Sequence, residues 1–341
     1  MKSKPIRWGI LGPGSIAQKF ATGLHDSDKG VLVAVGSRSH SRASAFLNGI
    51  NTRGAKGHGD YESLLSDPDV DAIYVATPHT FHREWCVKAV AAGKHVLCEK
   101  PIAINHADAK EIFTVAEKNG LQVMEAFMYR CHPQTKRLVQ LIREGSIGEV
   151  RRVQAEFGFR AEPNPQSRLF DSALGGGAIL DIGCYPMSLA RLVAGVANGV
   201  GFLEPYEIRA VGNLHPTTKV DTSTSAVLGF KSGVIAELFA SLEVNAANQV
   251  IIEGTEGSLV LSSPWFCRGP IKINRSGKAS ILPENPDTKD LYSYEADVFA
   301  EYLSGEALKS PAMTPEDTLG NMKALDQWRA EIGVIYPSEK T

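Results

Sequence analysis

The chain has 341 residues, 43% hydrophobic and 22% charged, with a formal net charge of −2. That length favours two domains at about 150 residues each, and the balanced charge excludes the basic excess that a nucleic-acid or anionic membrane partner demands. No apolar run approaches the roughly 20 residues of a membrane span, and Met1–Pro5 lead into an apolar strand with no signal-peptide core.

Residues 1–127 alternate short apolar runs with helix-length segments, the pattern of parallel βαβ units. Strands are predicted at Ile6–Leu11, Val31–Ser37, Ala72–Ala76, His95–Cys98 and Gln122–Ala126. Helices are predicted between them at Ser15–Leu24, Arg42–Gly49, Phe81–Ala92 and Asn105–Asn119, with Gly49, Gly93 and Gly120 at C-cap positions. The fold class is α/β here, a Rossmann-type doubly wound parallel sheet. Residues 128–341 change character and read as an α+β domain. A helix over Pro133–Glu144 precedes strands at Val150–Phe159, Ile208–Leu214, Ser223–Phe230, Val234–Glu243, Gln249–Glu253 and Ser258–Leu261. Lys231-Ser232-Gly233 and Thr255-Glu256-Gly257 are expected hairpin turns. Helices over Tyr294–Ser304 and Pro315–Gly333 close the chain, the second with Thr314 as N-cap and Glu316 and Asp317 opposing its dipole. Five scattered cysteines without a C-x-x-C pair read as reduced thiols of a cytoplasmic protein.

Gly12-Pro13-Gly14-Ser15-Ile16-Ala17 is a G-x-G-x-x-A run between a predicted strand and a predicted helix. Gly12 makes the tight turn, Gly14 lets backbone approach a pyrophosphate, and small Ala17 lets helix and strand pack closely. The helix start then offers free N–H groups to phosphate. The expected phosphate cradle is Gly9, Gly12, Gly14, Ser15 and Ile16. The second strand ends Ser37-Arg38-Ser39 with no acid at its tip and Arg42 one helical turn on. An acid there holds the ribose 2′-hydroxyl of NAD, whereas a guanidinium suits a 2′-phosphate. NADP is therefore the expected cofactor, with NAD as the alternative, and Ser37, Arg38 and Arg42 join the binding set.

Other strand ends deliver Thr77-Pro78-His79 and Glu99-Lys100-Pro101 to the carboxyl edge of the sheet, where ligands of such sheets bind. Thr77, Pro78, His82 and Glu99 are assigned to the cofactor. Hydride transfer from a carbinol needs a base for the hydroxyl proton and a cation for the developing oxyanion. Lys100 can supply the cation, and its charge favours ionisation of a neighbouring phenol. Tyr185 is the best phenol, one helical turn past Asp181, which would hold substrate or Lys100 unless it is simply a helix cap. His79 is a second candidate for proton transfer or nicotinamide placement. His79 and His82 lack a third ligand at fixed spacing, so no metal is expected.

At Gly9–Ala17, Tyr74–His82, Cys98–Pro101, Met124–Phe127 and Gly175–Pro186 the chain resembles the glucose–fructose oxidoreductase/inositol dehydrogenase (Gfo/Idh/MocA) family. The Asp-x-x-x-Tyr run and the C-terminal Glu331–Lys340 are similar to its dimeric dihydrodiol/D-xylose dehydrogenase branch. The resemblance implies that Lys100 and Tyr185 bind the reacting oxygen, that Asp181 completes the site and that His79 lies near the nicotinamide. Arg168 would reach cofactor or substrate. It also implies a large open-faced, mostly antiparallel sheet in the second domain, pairing with its copy in a homodimer. The expected activity is NADP-dependent hydride transfer between the nicotinamide and a sugar hydroxyl or carbonyl. Oxidation of an aldose such as D-xylose, or of a trans-dihydrodiol, is the leading reading. A keto-sugar reductase is the enzymatic alternative, and a non-catalytic NADP-binding sensor the alternative of another class.

Overall fold

A computed structural model describes residues 4–50, 52, 54–282 and 289–339; Met1–Ser3 and Lys340 of the sequence reading lie outside them. In chain order the elements are β1 (Ile6–Leu11), α1 (Ser15–Gly23), β2 (Gly30–Gly36), α2 (His40–Gly49), β3 (Lys56–His58), α3 (Tyr61–Leu65), β4 (Ala72–Val75), α4 (His82–Ala91), β5 (His95–Glu99), α5 (His106–Lys118), β6 (Val123–Ala126), α6 (Met128–Cys131) and α7 (Pro133–Arg143). There follow β7 (Val150–Gly158), α8 (Cys184–Ala197), β8 (Pro205–Leu214), β9 (Asp221–Phe230), β10 (Ile235–Ser241), β11 (Gln249–Gly254), β12 (Gly257–Ser262), β13 (Ile271–Arg275), β14 (Lys278–Leu282), α9 (Leu291–Leu303) and α10 (Pro315–Glu331).

Two compact units form. The first comprises the described residues of Met1–Ala103, Ala107–Cys131 and Asp287–Thr318. Its sheet has the order β3-β2-β1-β4-β5-β6, and every pairing is parallel. The order reverses between β1 and β4, the switch point at whose carboxyl ends such sheets bind ligands. β4 and β6 are buried throughout, as strands covered on both faces must be. The sequence reading omitted β3 and α3. Lys56-Gly57-His58 carries no apolar signal because it is an edge strand, and α3 is a five-residue turn capped by Asp60, whose carboxylate accepts the Ser63 N–H at 2.6 Å.

The linear division at 127/128 puts residues 289–318 in the second domain, whereas they pack with the first unit. The cause is aromatic burial. Phe299 of α9 lies 5.4 Å from Trp8 of β1, and Trp8 meets Phe20 of α1 edge-on at 5.2 Å. Gly23 ends α1 because α9 passes so close that a β-carbon there would stand 2.7 Å from Tyr292 Cβ.

The second unit comprises the described residues of Ile104–His106, His132–Pro286 and Leu319–Thr341. Its sheet runs β14-β13-β12-β11-β7-β10-β9-β8, antiparallel except for β7 beside β10. Along β9 buried and more exposed residues alternate, so one face of the sheet is covered and the other is open. α8 packs on the covered face against β7 and β10, with α7 beyond it, and it is buried on every side. The helical run Ser172–Ala197 is long and apolar enough to cross a membrane by composition alone, yet its most apolar stretch is buried in the unit. Its apolar character comes from the sheet on one side and helices on the other. β13 and β14 were also unread, because their Lys, Arg, Asn and Ser residues blur the period-2 pattern that their ladder nonetheless obeys. None of the five cysteines forms a disulfide.

Candidate active site

In the first unit, β1 delivers its chain into a turn that only glycine tolerates. Gly12 has φ +94°, and a β-carbon there would approach the Ala76 carbonyl oxygen to 3.1 Å. Gly14 faces open space, since a β-carbon on it would meet nothing within 4 Å. The first intrahelical bond of α1 runs from Gln18 N–H to Gly14 O at 3.1 Å, so the N–H groups of Ser15, Ile16 and Ala17 precede the ladder. No side chain caps this helix start and no acid stands in its first turn. Unpaired donors, positive dipole end and empty space together fit a pyrophosphate. Gly9 lies within β1 and serves packing there. Its missing side chain makes room for Val70, Ile73 and Leu64, whose carbons would lie within 3.1 Å of a β-carbon.

Past β2, Ser37 is buried while Arg38 and Arg42 are exposed, with the Ser39 hydroxyl accepting the Arg42 N–H at 3.4 Å to start α2. Arg38 thus follows the strand tip, where an NAD-selecting acid would be, and Arg42 lies one helical turn on in α2. Tyr61 is the neighbouring ring; burial holds its phenol above the usual range, opposed by the charges of Arg38 and Arg42.

After β4, Thr77 and Pro78 are half-buried and His79 is buried. His82 is engaged at both ring nitrogens. Its Nδ1 lies 2.9 Å from the Pro101 carbonyl and its Nε2 lies 2.7 Å from the Thr77 carbonyl, so the ring braces the β4 loop to the β5 loop. With carbonyl oxygens at both nitrogens, the doubly protonated ring donates to each, whereas the neutral ring donates to one. Glu99 likewise turns inward. Its carboxylate accepts the Tyr74 hydroxyl and the Lys100 N–H, the second at 3.2 Å, which fixes the backbone from which the half-buried Lys100 side chain departs.

Beneath that loop, Glu125 of β6 accepts the Ile102 N–H at 2.9 Å. Burial pushes its carboxyl up to about 7, opposed by that N–H. A native value above the ordinary 4.5 means that the folded chain binds this proton more tightly than the unfolded chain. The associated stability is full below the ordinary value and is lost as pH rises through about 7. Glu125→Gln keeps an acceptor and removes the titration. It is expected to be more stable than the parent at alkaline pH by up to about 3 kcal/mol, with the difference shrinking on acidification. Urea midpoints that differ by the same amount at acid and alkaline pH would refute this.

In the second unit, a glycine loop leads through a single π-turn, Ile179–Gly183, into α8. Asp181 lies within the π-turn, not at a cap, and is buried. Its Oδ1 accepts from Arg168 Nη2 at 2.9 Å, so Arg168, expected to reach cofactor or substrate, is paired with Asp181 in this structure. Tyr185, four residues on, is buried against Phe157 at 5.4 Å and Trp265 at 5.8 Å between ring centroids. Phe157 stacks on Trp265, whose indole N–H donates to the Glu156 carbonyl at 3.0 Å, and Phe266 continues the cluster into an exposed ring. Trp265 and Phe266 are not legible in the sequence because they come from the turn after β12, far along the chain from Phe157 of β7 and with no shared spacing. Among the described residues no three His, Cys, Asp or Glu side chains stand together as a metal site.

Comparison with known proteins gives the family. The chain is 32% identical over 344 residues to trans-1,2-dihydrobenzene-1,2-diol dehydrogenase of Mus musculus, covering 98% of this chain and 99% of that one. It is 33% identical over 336 residues to an uncharacterized oxidoreductase of Rhizobium meliloti, covering 94% and 95% of the two chains. Its structure matches a tyrosine-to-phenylalanine mutant of a 3-ketoreductase from Actinomadura kijaniata, crystallised with TDP-benzene and NADP, at a TM-score of 0.85 and 31% identity over 96% of this chain and 98% of that one. Residues 6–127 match the oxidoreductase family with NAD-binding Rossmann fold, and residues 135–260 match the Gfo/Idh/MocA C-terminal domain. Two matching family models over most of the chain, with relatives 32% identical over nearly its whole length, thus place the chain in the Gfo/Idh/MocA family of NAD(P)-dependent oxidoreductases.

Proposed function

We propose that the protein is an NADP-dependent dehydrogenase of ring carbinols, oxidising a CH–OH of an aldose such as D-xylose or of a trans-dihydrodiol. The observation that carries this is Tyr185, a phenol set among Phe157 and Trp265 one turn from the Asp181–Arg168 pair. Aromatic walls suit the apolar faces of a ring, and an ion-paired carboxylate suits its hydroxyls. The trans-dihydrodiol dehydrogenases at 32% identity support the reading.

NADP would be held by Gly12, Gly14, Ser15 and Ile16 at the pyrophosphate, with Arg38 and Arg42 at the 2′-phosphate. When bound, it supplies the hydride acceptor at the nicotinamide C4. Tyr185, ionised to its phenolate, would take the hydroxyl proton while the carbinol carbon gives up its hydride to the nicotinamide, and Lys100 would hold the negative charge developing on oxygen. Asp181 would orient the ring through a neighbouring hydroxyl, and His79 would border the nicotinamide. The same groups run the reverse reaction, Tyr185 returning the proton to a carbonyl. Reduction of a keto-sugar, including a nucleotide-linked one, is the second reading, favoured by the likeness to the 3-ketoreductase.

The test is nicotinamide absorbance with NADP⁺ and NAD⁺ crossed against aldoses, polyols and trans-1,2-dihydrobenzene-1,2-diol. Turnover with NADP⁺ and a pentose, hexose or dihydrodiol is expected. Silence across the panel, with keto-sugars reduced by NADPH, would replace the first reading by the second. The open face of the eight-stranded sheet, where Val211, Val227 and Ile235 are exposed, would be the homodimer face. Paired Val227→Asp and Ile235→Asp changes should then yield monomers in analytical ultracentrifugation, and a parent that is itself monomeric would end that assignment.

A further inference from the structure

The C-terminal run that follows α10 has no part in the chemistry above, yet its Tyr336 is fully buried and donates its hydroxyl proton to the Gly176 carbonyl at 2.7 Å. The segment is anchored for that task. Arg329 is ion-paired with Glu339 at 2.9 Å and with Asp326 at 2.8 Å, and its guanidinium sits 4.9 Å above the Tyr336 ring. The Tyr336 N–H also donates to Glu339 at 2.9 Å. From the opposite side, Asp221 at the start of β9 is fully buried and accepts the Ile179 N–H at 2.6 Å, acting from another element as the cap that the π-turn lacks in its own sequence. Between them the glycine loop is threaded with no space to spare. A β-carbon on Gly177, whose φ is +118°, would lie 2.2 Å from Asp221 Oδ1. One on Gly176 would lie 2.6 Å from the Leu169 carbonyl and 2.8 Å from that of Arg168, the residue that grips Asp181.

We infer that Asp221 and Tyr336 are positioning residues of the reaction: they clamp the Gly175–Gly177 loop and the π-turn, and so set the placement of Asp181 and Tyr185. This rests on the catalytic reading of Tyr185. A clamp of this kind has a large lever, because misplacing a reacting group by about 1 Å can cost on the order of a hundredfold in rate. Burial raises the Asp221 carboxyl to about 6, opposed first by the Ile179 N–H and also by the Arg329 charge, so near neutral pH it meets that N–H mainly as the stronger, ionised acceptor.

The test compares Tyr336→Phe, Asp221→Ala, Asp221→Asn and Tyr185→Phe in the full-length protein by kcat, KM, NADPH affinity and amide hydrogen exchange over Gly176–Tyr185. Tyr336→Phe keeps the ring and loses one hydrogen bond. It is expected to lower kcat roughly tenfold with NADPH affinity unchanged and to speed exchange of this segment alone. Asp221→Ala should lose more, and Asp221→Asn, which keeps an acceptor, should recover most of the loss. Folded Tyr336→Phe and Asp221→Ala with parental exchange in the segment would overturn the clamp. So would faster exchange at parental kcat, which would make it merely structural. If Asp221→Ala does not fold, Tyr336→Phe decides alone. Parental turnover in Tyr185→Phe would instead sink the catalytic reading of that residue and, with it, the positioning role, whereas exchange still reports whether the contacts hold the loop.

Discussion

Lys100→Met is expected to lower kcat on the preferred carbinol by about a hundredfold to a thousandfold while NADPH binds as in the parent. The cation of Lys100 would meet an oxygen whose negative charge is larger in the transition state than in the bound alcohol, so its loss falls on kcat more than on KM. Methionine keeps the length and the apolar stem, and the two contacts that shape the loop survive it. Glu99 receives the backbone N–H of residue 100, not its side chain, and Glu125 holds the Ile102 N–H two residues on. NADPH fluorescence titration beside steady-state kinetics makes the check. A variant that binds NADPH and turns over at the parental rate would remove Lys100 from the chemistry. One that loses both together would show that the residue supports the cofactor site instead.

What could be read from sequence, and what could not, follows from how local each feature is. Gly12, Gly14 and Ala17 were legible because a tight turn, a close backbone approach and a helix–strand contact each demand a small residue at a fixed offset. The parallel strand pattern was legible because buried strands are apolar throughout. The direction in which a polar group faces is not written in its type. His82 and Glu99 stand in the expected loops, yet His82 spends both ring nitrogens on carbonyl oxygens and Glu99 accepts from Tyr74 and from the backbone of Lys100. That Arg168 pairs with Asp181, 13 residues away, is likewise not written in its type. Partners brought together from afar were not legible at all. Asp221 meets Ile179 across 42 residues and Tyr336 meets Gly176 across 160, separations at which no spacing rule operates.

Asp317 makes the same point energetically and carries the largest expected effect on stability. At the start of α10 it reads as a dipole-compensating acid, and its N–H does donate to the capping Thr314 hydroxyl at 3.2 Å. Its carboxylate, however, is fully buried against the equally buried Arg130, Nη2 to Oδ2 at 2.6 Å, while Arg130 Nε donates to the Pro311 carbonyl. Removing one member of a buried pair strands the other as an uncompensated charge in a low-dielectric interior. Arg130→Met should therefore destabilise the fold by about 3–5 kcal/mol, read from the urea midpoint. The double variant Arg130→Met with Asp317→Asn should recover part of that loss, because no ion is then left without its partner and the remaining cost is the hydrogen bonds to Pro311 and within the pair. Losses that simply add in the double variant would show that the two side chains act independently. A single variant within about 0.5 kcal/mol of the parent would show that water reaches this pair, contrary to its burial.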